Sequence, residues 1–382
     1  MLKEAGGDYA MIQVRTLPNR TLSARAQTDP LSQYGDLWQI LYESALESGA
    51  EVLSGLDVTD IDPNNSSVTV SNGDVLTADL IIGADGPRGR GRRILLDQDQ
   101  TEERMPKSFM TYQATIPTER MTRYPELDEL TKGQISRTIR LIFAEGKVLH
   151  FFPINHGSAY CIQYCPNDDS FEGHWGDKQI TRLSDVAGIC EPKILRIAEI
   201  ADPAIAVRMP DNIKLEHWVH DSQQFIVVGE AAHPFPPASQ QGIAMAFEDA
   251  AVLGKLFGHL SSKDQIGNFL YAFEDIRQTR CYSSFQDDVA LYRFLAMPPG
   301  PNQRERDARL KESTREEGKE EGLDAVEDTS MARKQWEEVK KVYAYDCEDE
   351  ADEWWIQWGV LRQRAAERNE FYDKSSFGSR EA

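Results

Sequence analysis

The chain is predicted to be an α/β protein. An α/β-patterned region is interrupted in the sequence by a mostly β region, and a helical C-terminal tail follows. Three observations carry that prediction. Two short, wholly apolar strand patterns, 80–82 and 225–228, stop at Gly83-Ala84-Asp85-Gly86 and at Gly229-Glu230. That is the punctuation of a buried parallel strand ending against a ligand. Between them, residues 108–165 are rich in Tyr, Phe, Ile and Thr, which favour a pleated surface. The last eighty residues turn to charge-dense, helix-favouring patterns. The expected boundaries are 1–105 and 210–300 for the two parts of the α/β domain, 106–209 for the insert and 301–382 for linker and tail.

Element by element, residues 36–48 place Leu37, Ile40, Leu41 and Ala45 on one helical face, with Asp36 as cap and Gly49 after the end. The stretches "EVLSGLDVTDI" and "SSVTVSNGDVLTA" read as strands, the second folding back at Asn72-Gly73. The β-rich region runs through "FMTYQATIP", "IRLIFAEGKVLHFFPI" and "SAYCIQYC", and from 178 to 200 the pattern turns helical. Strand 225–228 and a helix over 243–259 return to the α/β style. A charged, Gly-punctuated stretch over 304–330 reads as a solvated helix or linker, and helices are expected over 331–346 and 350–371. Trp354, Trp355 and Trp358, at helical spacing, are read as docking residues.

Composition excludes several classes. Forty-two basic residues against 63 acidic ones give a net charge of −21, so neither nucleic acid nor an anionic membrane surface is an expected partner. Cys161, Cys165, Cys190, Cys281 and Cys347 are scattered without a Cys-x-x-Cys pair. Reduced thiols, no metal site and a cytoplasmic location are therefore expected. No apolar run approaches the ~18 residues of a membrane span. The first thirty residues, with Glu4 and Asp8, do not read as a secretory leader.

The chemistry-bearing residues gather at the two strand ends. Asp85 lies at the carboxyl edge of its strand, where open α/β sheets bind ligands, and Arg88, Arg90, Arg92 and Arg93 either meet phosphate or solvate the loop. The Glu230 carboxylate can accept a hydrogen bond from a ribose or ribityl hydroxyl. The first amides of the helix starting near Gly242 can hold a pyrophosphate. Pro236 and Pro237 stiffen the loop between them, and His233 is read as structural rather than catalytic.

These two stretches resemble the paired motifs of the FAD-dependent aromatic hydroxylases, the salicylate-hydroxylase-like class A flavoprotein monooxygenases, in their fungal form. Asp79, Gly83, Ala84, Asp85, Gly86 and Arg92 match the first motif, D-x-x-x-G-A-D-G-x-x-S-x-V-R. Gly229, Ala231, Ala232, His233, Pro234, Gln241, Gly242, Glu248, Asp249 and Ala250 match the second, G-D-A-A-H-P, a Pro loop, G-Q-G and E-D-A. "FEDIRQTRCYSSFQ", "MPPGPNQRERDARL" and "YAYDCEDEADEWW" extend the likeness, firmly over about 30–300 and loosely to about 370.

The resemblance implies a flavoprotein-hydroxylase fold, an FAD-binding Rossmann-like domain with an inserted β-rich substrate domain, with FAD held by Val58, Asp85, Gly86, Gly229, Glu230, Gln241, Gly242 and Ile243. It also implies NAD(P)H as reductant and a small phenolic or aromatic-acid substrate hydroxylated with O2. His150, His156 and Tyr160 fall in the substrate region, and no catalytic residue is assigned. The sequence departs from the family pattern at several points. No G-x-G-x-x-G fingerprint occurs, Gly6-Gly7 lacking both its spacing and a preceding apolar strand. Residues 11–28 resemble a segment that normally lies well inside the protein, so the cofactor domain is expected to be N-terminally incomplete. Tyr34-Gly35-Asp36-Leu37 stands for R-x-D-L, Gly89 for Ser, Gly91 for Val, Glu230 for Asp and Gln240 for Gly. Gln113 and Phe152 replace an Arg and a Tyr common in the fungal substrate region. Two functions therefore stay open: the hydroxylase, and a truncated, non-catalytic paralogue that binds or interacts.

Overall fold

The computed structural model describes residues 10–15, 34–99, 110–131, 138–144, 146–166, 179–188, 191–208, 214–239, 241–317 and 344–360. Its strands are β1 (Ala10–Arg15), β2 (Val58–Asp62), β3 (Ser67–Val70), β4 (Val75–Thr77), β5 (Ile81–Gly83), β6 (Met110–Pro117), β7 (Thr138–Ala144), β8 (Lys147–Ile154), β9 (Ala159–Pro166), β10 (Gln179–Thr181), β11 (Ala204–Arg208) and β12 (Phe225–Val227).

The apolar triplet of β12 has no polar alternation, so it is stable only when covered on both faces. Phe225, Ile226 and Val227 are fully buried and pair in parallel with Ile81, Ile82 and Gly83 of β5. Leu95 from helix Arg90–Asp99, Met245, Val252 and Leu256 from helix Gly242–Phe257, and Phe269 and Phe273 from helix Ile266–Leu295 complete the surrounding core. Gly83 permits the close pairing, because a Cβ there would stand 3.2 Å from both Phe225 and Val227. Beside this pair, β2, β3 and β4 form an antiparallel sheet turned at Gly73, whose φ is +92°.

The inserted region folds as a seven-stranded antiparallel sheet, ordered β1-β7-β8-β9-β6-β11-β10. Side-chain alternation gives it two faces. Tyr112, Ile116, Phe151, Tyr160 and Ile162 point to a core closed by Met121, Leu127, Leu183 and Ile197. On the opposite face Leu141, Val148 and Cys165 pack on Leu295 and Ala296, at the C-terminal end of the long helix. Tyr292 donates its hydroxyl hydrogen to the Pro166 carbonyl (3.1 Å) and Gly146 N–H donates to the Met297 carbonyl (2.8 Å), tying sheet to helix.

Several expectations change. Ala10–Arg15 pairs with β7 as an edge strand of the seven-stranded sheet, so residues 1–105 do not all belong beside β5. Gln179–Thr181, expected in a helical stretch, instead pairs with β11, and only 183–186 and Pro192–Ile200 are helical there. Three residues at a sheet edge are too few to show a period, and Ile180 faces outward at 72% exposure. The first long helix spans Tyr34–Glu47, so Asp36 lies inside it instead of capping it. Of its predicted apolar face, Ile40 and Leu41 are exposed and Leu37 and Ala45 half-buried, and Trp38 beside that face is exposed too.

In the tail, Pro301–Glu317 is helical. Helix Cys347–Trp354, whose N-terminal amides at Glu348 and Asp349 donate to the Asp346 carboxylate, runs into a π-helical turn, Trp355–Gly359. Trp355 stacks on His259 at 4.2 Å and Trp354 packs near Phe269, while Trp358 stays exposed. The predicted helix over 331–346, the end of the one over 350–371, and Gln240, Cys190 and residues 16–28 lie outside the described residues, apart from 344–346, which are not helical.

Candidate cofactor edge and substrate face

The parallel pairing of β5 and β12 brings both motif ends to one edge. Gly229 turns there with φ +58°, Gly86 with φ +79°, and no atom lies within 4 Å of where a Gly86 side chain would begin. Glu230 opens to solvent at this edge. The surrounding protein still raises its pKa by desolvation, against the opposing pull of His233. Asp85, also exposed, is engaged by its own loop: its Oδ2 accepts from Gly91 N–H (3.0 Å), capping helix Arg90–Asp99. That geometry explains Gly89 and Gly91 where the family pattern has Ser and Val. A Cβ on Gly89 would fall 2.0 Å from Asp85 Cγ, and one on Gly91 would fall 2.9 Å from Phe225.

Of the four arginines after Asp85, Arg92 is buried. It donates to the carbonyls of Ala231 (2.8 Å) and Ala232 (3.1 Å), fastening the first motif to the second. Burial lowers its pKa to about 10. Arg90 donates to the Val58 carbonyl (2.8 Å) and Arg93 to the Arg88 carbonyl (3.3 Å).

Below the Gly229 turn lies a buried ion-pair network. Asp249 accepts from Gly229 N–H (2.9 Å), lies 2.6 Å from His233 Nε2, and accepts from Arg277 Nε (2.8 Å). Arg277, fully buried, also donates to Glu248 (2.6 Å) and the Met245 carbonyl (3.2 Å). Burial opposes the charge on His233, but Asp249 outweighs it and pushes the pKa up to about 10. The Asp249 carboxylate is held below its ordinary pKa, the desolvation penalty being overcome by His233 and Arg277. His233, Asp249 and Cys281 bring potential ligand atoms within 4.8 Å of one another. Arg277 on the same carboxylate makes this an ion-pair network rather than a cation site. His233 is a member of that network.

The start of helix Gly242–Phe257 is already capped. Ser239 Oγ accepts from the amides of Gln241 and Gly242 (3.0 Å each), and its own hydrogen goes to Asp288. An anion placed at those two amides must compete with that hydroxyl. Ile243 is exposed just beyond them, as is Val58 across the edge.

The Pro loop meets the inserted sheet where Thr111 Oγ1 donates to the Pro237 carbonyl (3.2 Å). From this contact the outer face of the sheet carries a cross-strand row, Ile205–Gln113–Gln163–His150–Leu141. Gln113 and Ile205 are exposed, and Phe152 and Gln163 half-buried. His150 is buried beside Pro236 and Pro237, its Nε2 has no hydrogen-bond partner, and burial drops its pKa to about 4. Tyr160 is removed from this face: it stacks on Phe151 at 4.6 Å on the opposite side. The His156 side chain lies outside the described residues. Burial pushes the Cys161 and Cys165 thiols up to about 12, so both stay protonated.

Sequence reasoning missed Arg277, the Ser239 cap and the bond from Gly91 N–H to Asp85. Ser239 two residues before Gln241-Gly242 was a readable N-cap signal; a buried arginine in a helix leaves none. Chemically, the edge offers an outward carboxylate, two glycine turns and a helix start to a ligand with hydroxyls and phosphates. Those groups fit the ribityl-pyrophosphate part of FAD, the helix amides only after Ser239 is displaced.

A family described as FAD binding domain matches residues 21–281. Hispidin-3-hydroxylase of Neonothopanus nambi is 28% identical over 239 residues, 58% of this chain and 55% of the relative. The FAD-dependent monooxygenase OpS4 of Beauveria bassiana is 25% identical over 277 residues, 71% of this chain and 63% of the relative. The chain thus spans about three-fifths of the length of these curated relatives. A salicylate hydroxylase solved with substrate superposes with a TM-score of 0.62 at 20% identity, covering 83% of this chain and 74% of that one. CtdE solved with FAD and substrate 4 gives 0.62 at 17% identity, covering 85% and 74%. At such identities these likenesses establish the fold. Among the described residues no helix is long and apolar enough to cross a membrane.

Proposed function

The chain belongs to the FAD binding domain family, and from that premise we propose that it acts as an FAD-dependent monooxygenase of the aromatic-hydroxylase type. It would use NAD(P)H and O2 on a small phenolic or aromatic-acid substrate. The observation that carries the reading is the meeting of Gly86 and Gly229-Glu230 on one edge, beside a Pro loop that touches the outer face of the inserted sheet.

FAD, when bound, supplies the electron transfer and oxygen chemistry that side chains lack. The protein's part is to hold and shield. Glu230 accepts a ribityl hydroxyl, the Gly86 and Gly229 turns let the backbone approach closely, and Val58 and Ile243 flank the edge. The amides of Gln241 and Gly242 favour a pyrophosphate, and Asp85 keeps the Gly86 turn in place through Gly91. On the outer face of the sheet, Phe152 and Ile205 offer apolar contact to an aromatic ring and Gln113 a hydrogen bond to its polar substituent. His150, neutral at pH 7 because its pKa lies near 4, contributes no charge to that face.

The second reading, a non-catalytic binding protein, is favoured by one observation: Ser239 already occupies the helix amides. Titration of the 382-residue chain with FAD, followed by flavin fluorescence, separates the two. Saturable binding weakened about ten-fold or more by Glu230→Ala, as expected for loss of a charge-assisted hydrogen bond, followed by NAD(P)H oxidation that yields hydroxylated phenolic acids, supports the monooxygenase. A folded chain that binds no FAD overturns it in favour of the second reading.

A further inference from the structure

Behind the turn that carries Gly229-Glu230 lies a cavity of about 290 Å³, at the small end of the range for ligand sites. It is separate from the outer face of the inserted sheet. Its walls come from Lys214, Leu215 and Trp218, from residues 232–234, from the 278–286 stretch of the long helix, and from Arg92. In a chain of net charge −21, the described residues lining it include Arg92, Lys214 and His233 but no carboxylate. The buried acids that touch lining residues are committed, Asp249 to His233, Arg277 and the Gly229 amide, and Glu274 to the Trp218 amide (2.9 Å).

His233 gives Nε2 to Asp249, and its Nδ1 is buried without a hydrogen-bond partner although the side chain is only 9% exposed. A buried N–H left without an acceptor is costly, and a ligand oxygen would satisfy it. Lys214 hangs over the Tyr282 ring at 4.5 Å, at the rim of the cavity. Trp218 and Phe285, both buried, supply flat apolar walls.

We propose that this cavity binds a small aromatic carboxylate, its oxygens toward His233 Nδ1 and Lys214 and its ring against Trp218 and Phe285. The site lies outside the cofactor edge and the substrate face and does not depend on FAD. It shares a wall with both motifs, because Arg92 holds the Ala231 and Ala232 carbonyls next to Glu230.

The test is calorimetric titration of the full chain, without added FAD, using benzoate as probe and inorganic phosphate as comparison. One benzoate per chain is expected at this cavity. Binding should weaken about ten-fold or more in Lys214→Glu, the scale of a lost charge-assisted contact, and be restored by Lys214→Arg. It should be unchanged by Gln113→Ala on the outer face of the inserted sheet. Lys214 is exposed, so the fold should survive its substitution, with circular dichroism as the check. No saturable binding, indifference to Lys214→Glu, loss in Gln113→Ala, or tighter binding of phosphate than of benzoate would each overturn the proposal.

Discussion

Replacing Arg277 by Met should remove the fastening of the cofactor edge. Arg277 is fully buried and joins Asp249 and Glu248 at 2.8 and 2.6 Å. Methionine matches much of its volume but leaves two acids without that cation. Breaking a buried pair from one side costs about 3–5 kcal/mol. Here Asp249 keeps His233 at 2.6 Å and Glu248 keeps Arg280 at 3.3 Å, so the lower end, about 3 kcal/mol, is expected. The control is Lys263→Ala. Its pair with Asp79 is equally short, 2.6 Å, but both side chains are more than half exposed, and such pairs contribute ~0–1 kcal/mol. Urea unfolding of the three proteins, followed by far-UV circular dichroism, compares them directly. A loss below about 1 kcal/mol in Arg277→Met, or an equal loss in Lys263→Ala, would refute the assignment of this network as the support of the Gly229 turn.

Three further outcomes are expected. The His233 pKa of about 10 lies above its ordinary ~6.5, so its contribution is fully present below about pH 6.5 and lost as pH rises toward 10. Asp249→Asn should flatten that part of the melting-temperature profile. Gly89→Ser should push Asp85 off the Gly91 amide and cost about 1 kcal/mol, the usual value of a helix cap, read from the urea midpoint. Tyr160→Phe, on the covered face of the sheet, should leave the KM for an aromatic substrate unchanged in steady-state NAD(P)H oxidation. Gln113→Ala should raise it several-fold, and a reversed pattern would mean the substrate lies on the other face.

What could be read from sequence was what local pattern encodes. β5, β12 and helix Gly242–Phe257 are each marked by an apolar run and a glycine, and all stand within two residues of their expected bounds. The Asn72-Gly73 turn is likewise a property of two residues. Pairing is not local. β1 becomes a strand only because β7 lies beside it, and Arg277 acquires meaning from Asp249, 28 residues away, and from Gly229 beyond it. His150 and Tyr160 looked equivalent because both fall in β-rich sequence. Only the register, with His150 opposite Gln163 and Tyr160 opposite Pro153, sends them to opposite faces. Asp85 could be placed at the strand end, but its turn toward Gly91 depends on two missing side chains, at Gly89 and Gly91.

The Arg92–Ala231 contact joins residues 139 positions apart, with every strand of the seven-stranded sheet except β1 between them. During synthesis, β5 leaves the ribosome with its apolar residues unpaired and must wait until β12 has been made. Closing so long a loop is cheap at equilibrium, since doubling a loop costs only about 0.6 kcal/mol, but slow, because distant partners must find each other. The cofactor edge therefore cannot form before the chain past residue 231 has been made. Insertions within the middle domain can lengthen that wait while leaving the finished edge unaltered.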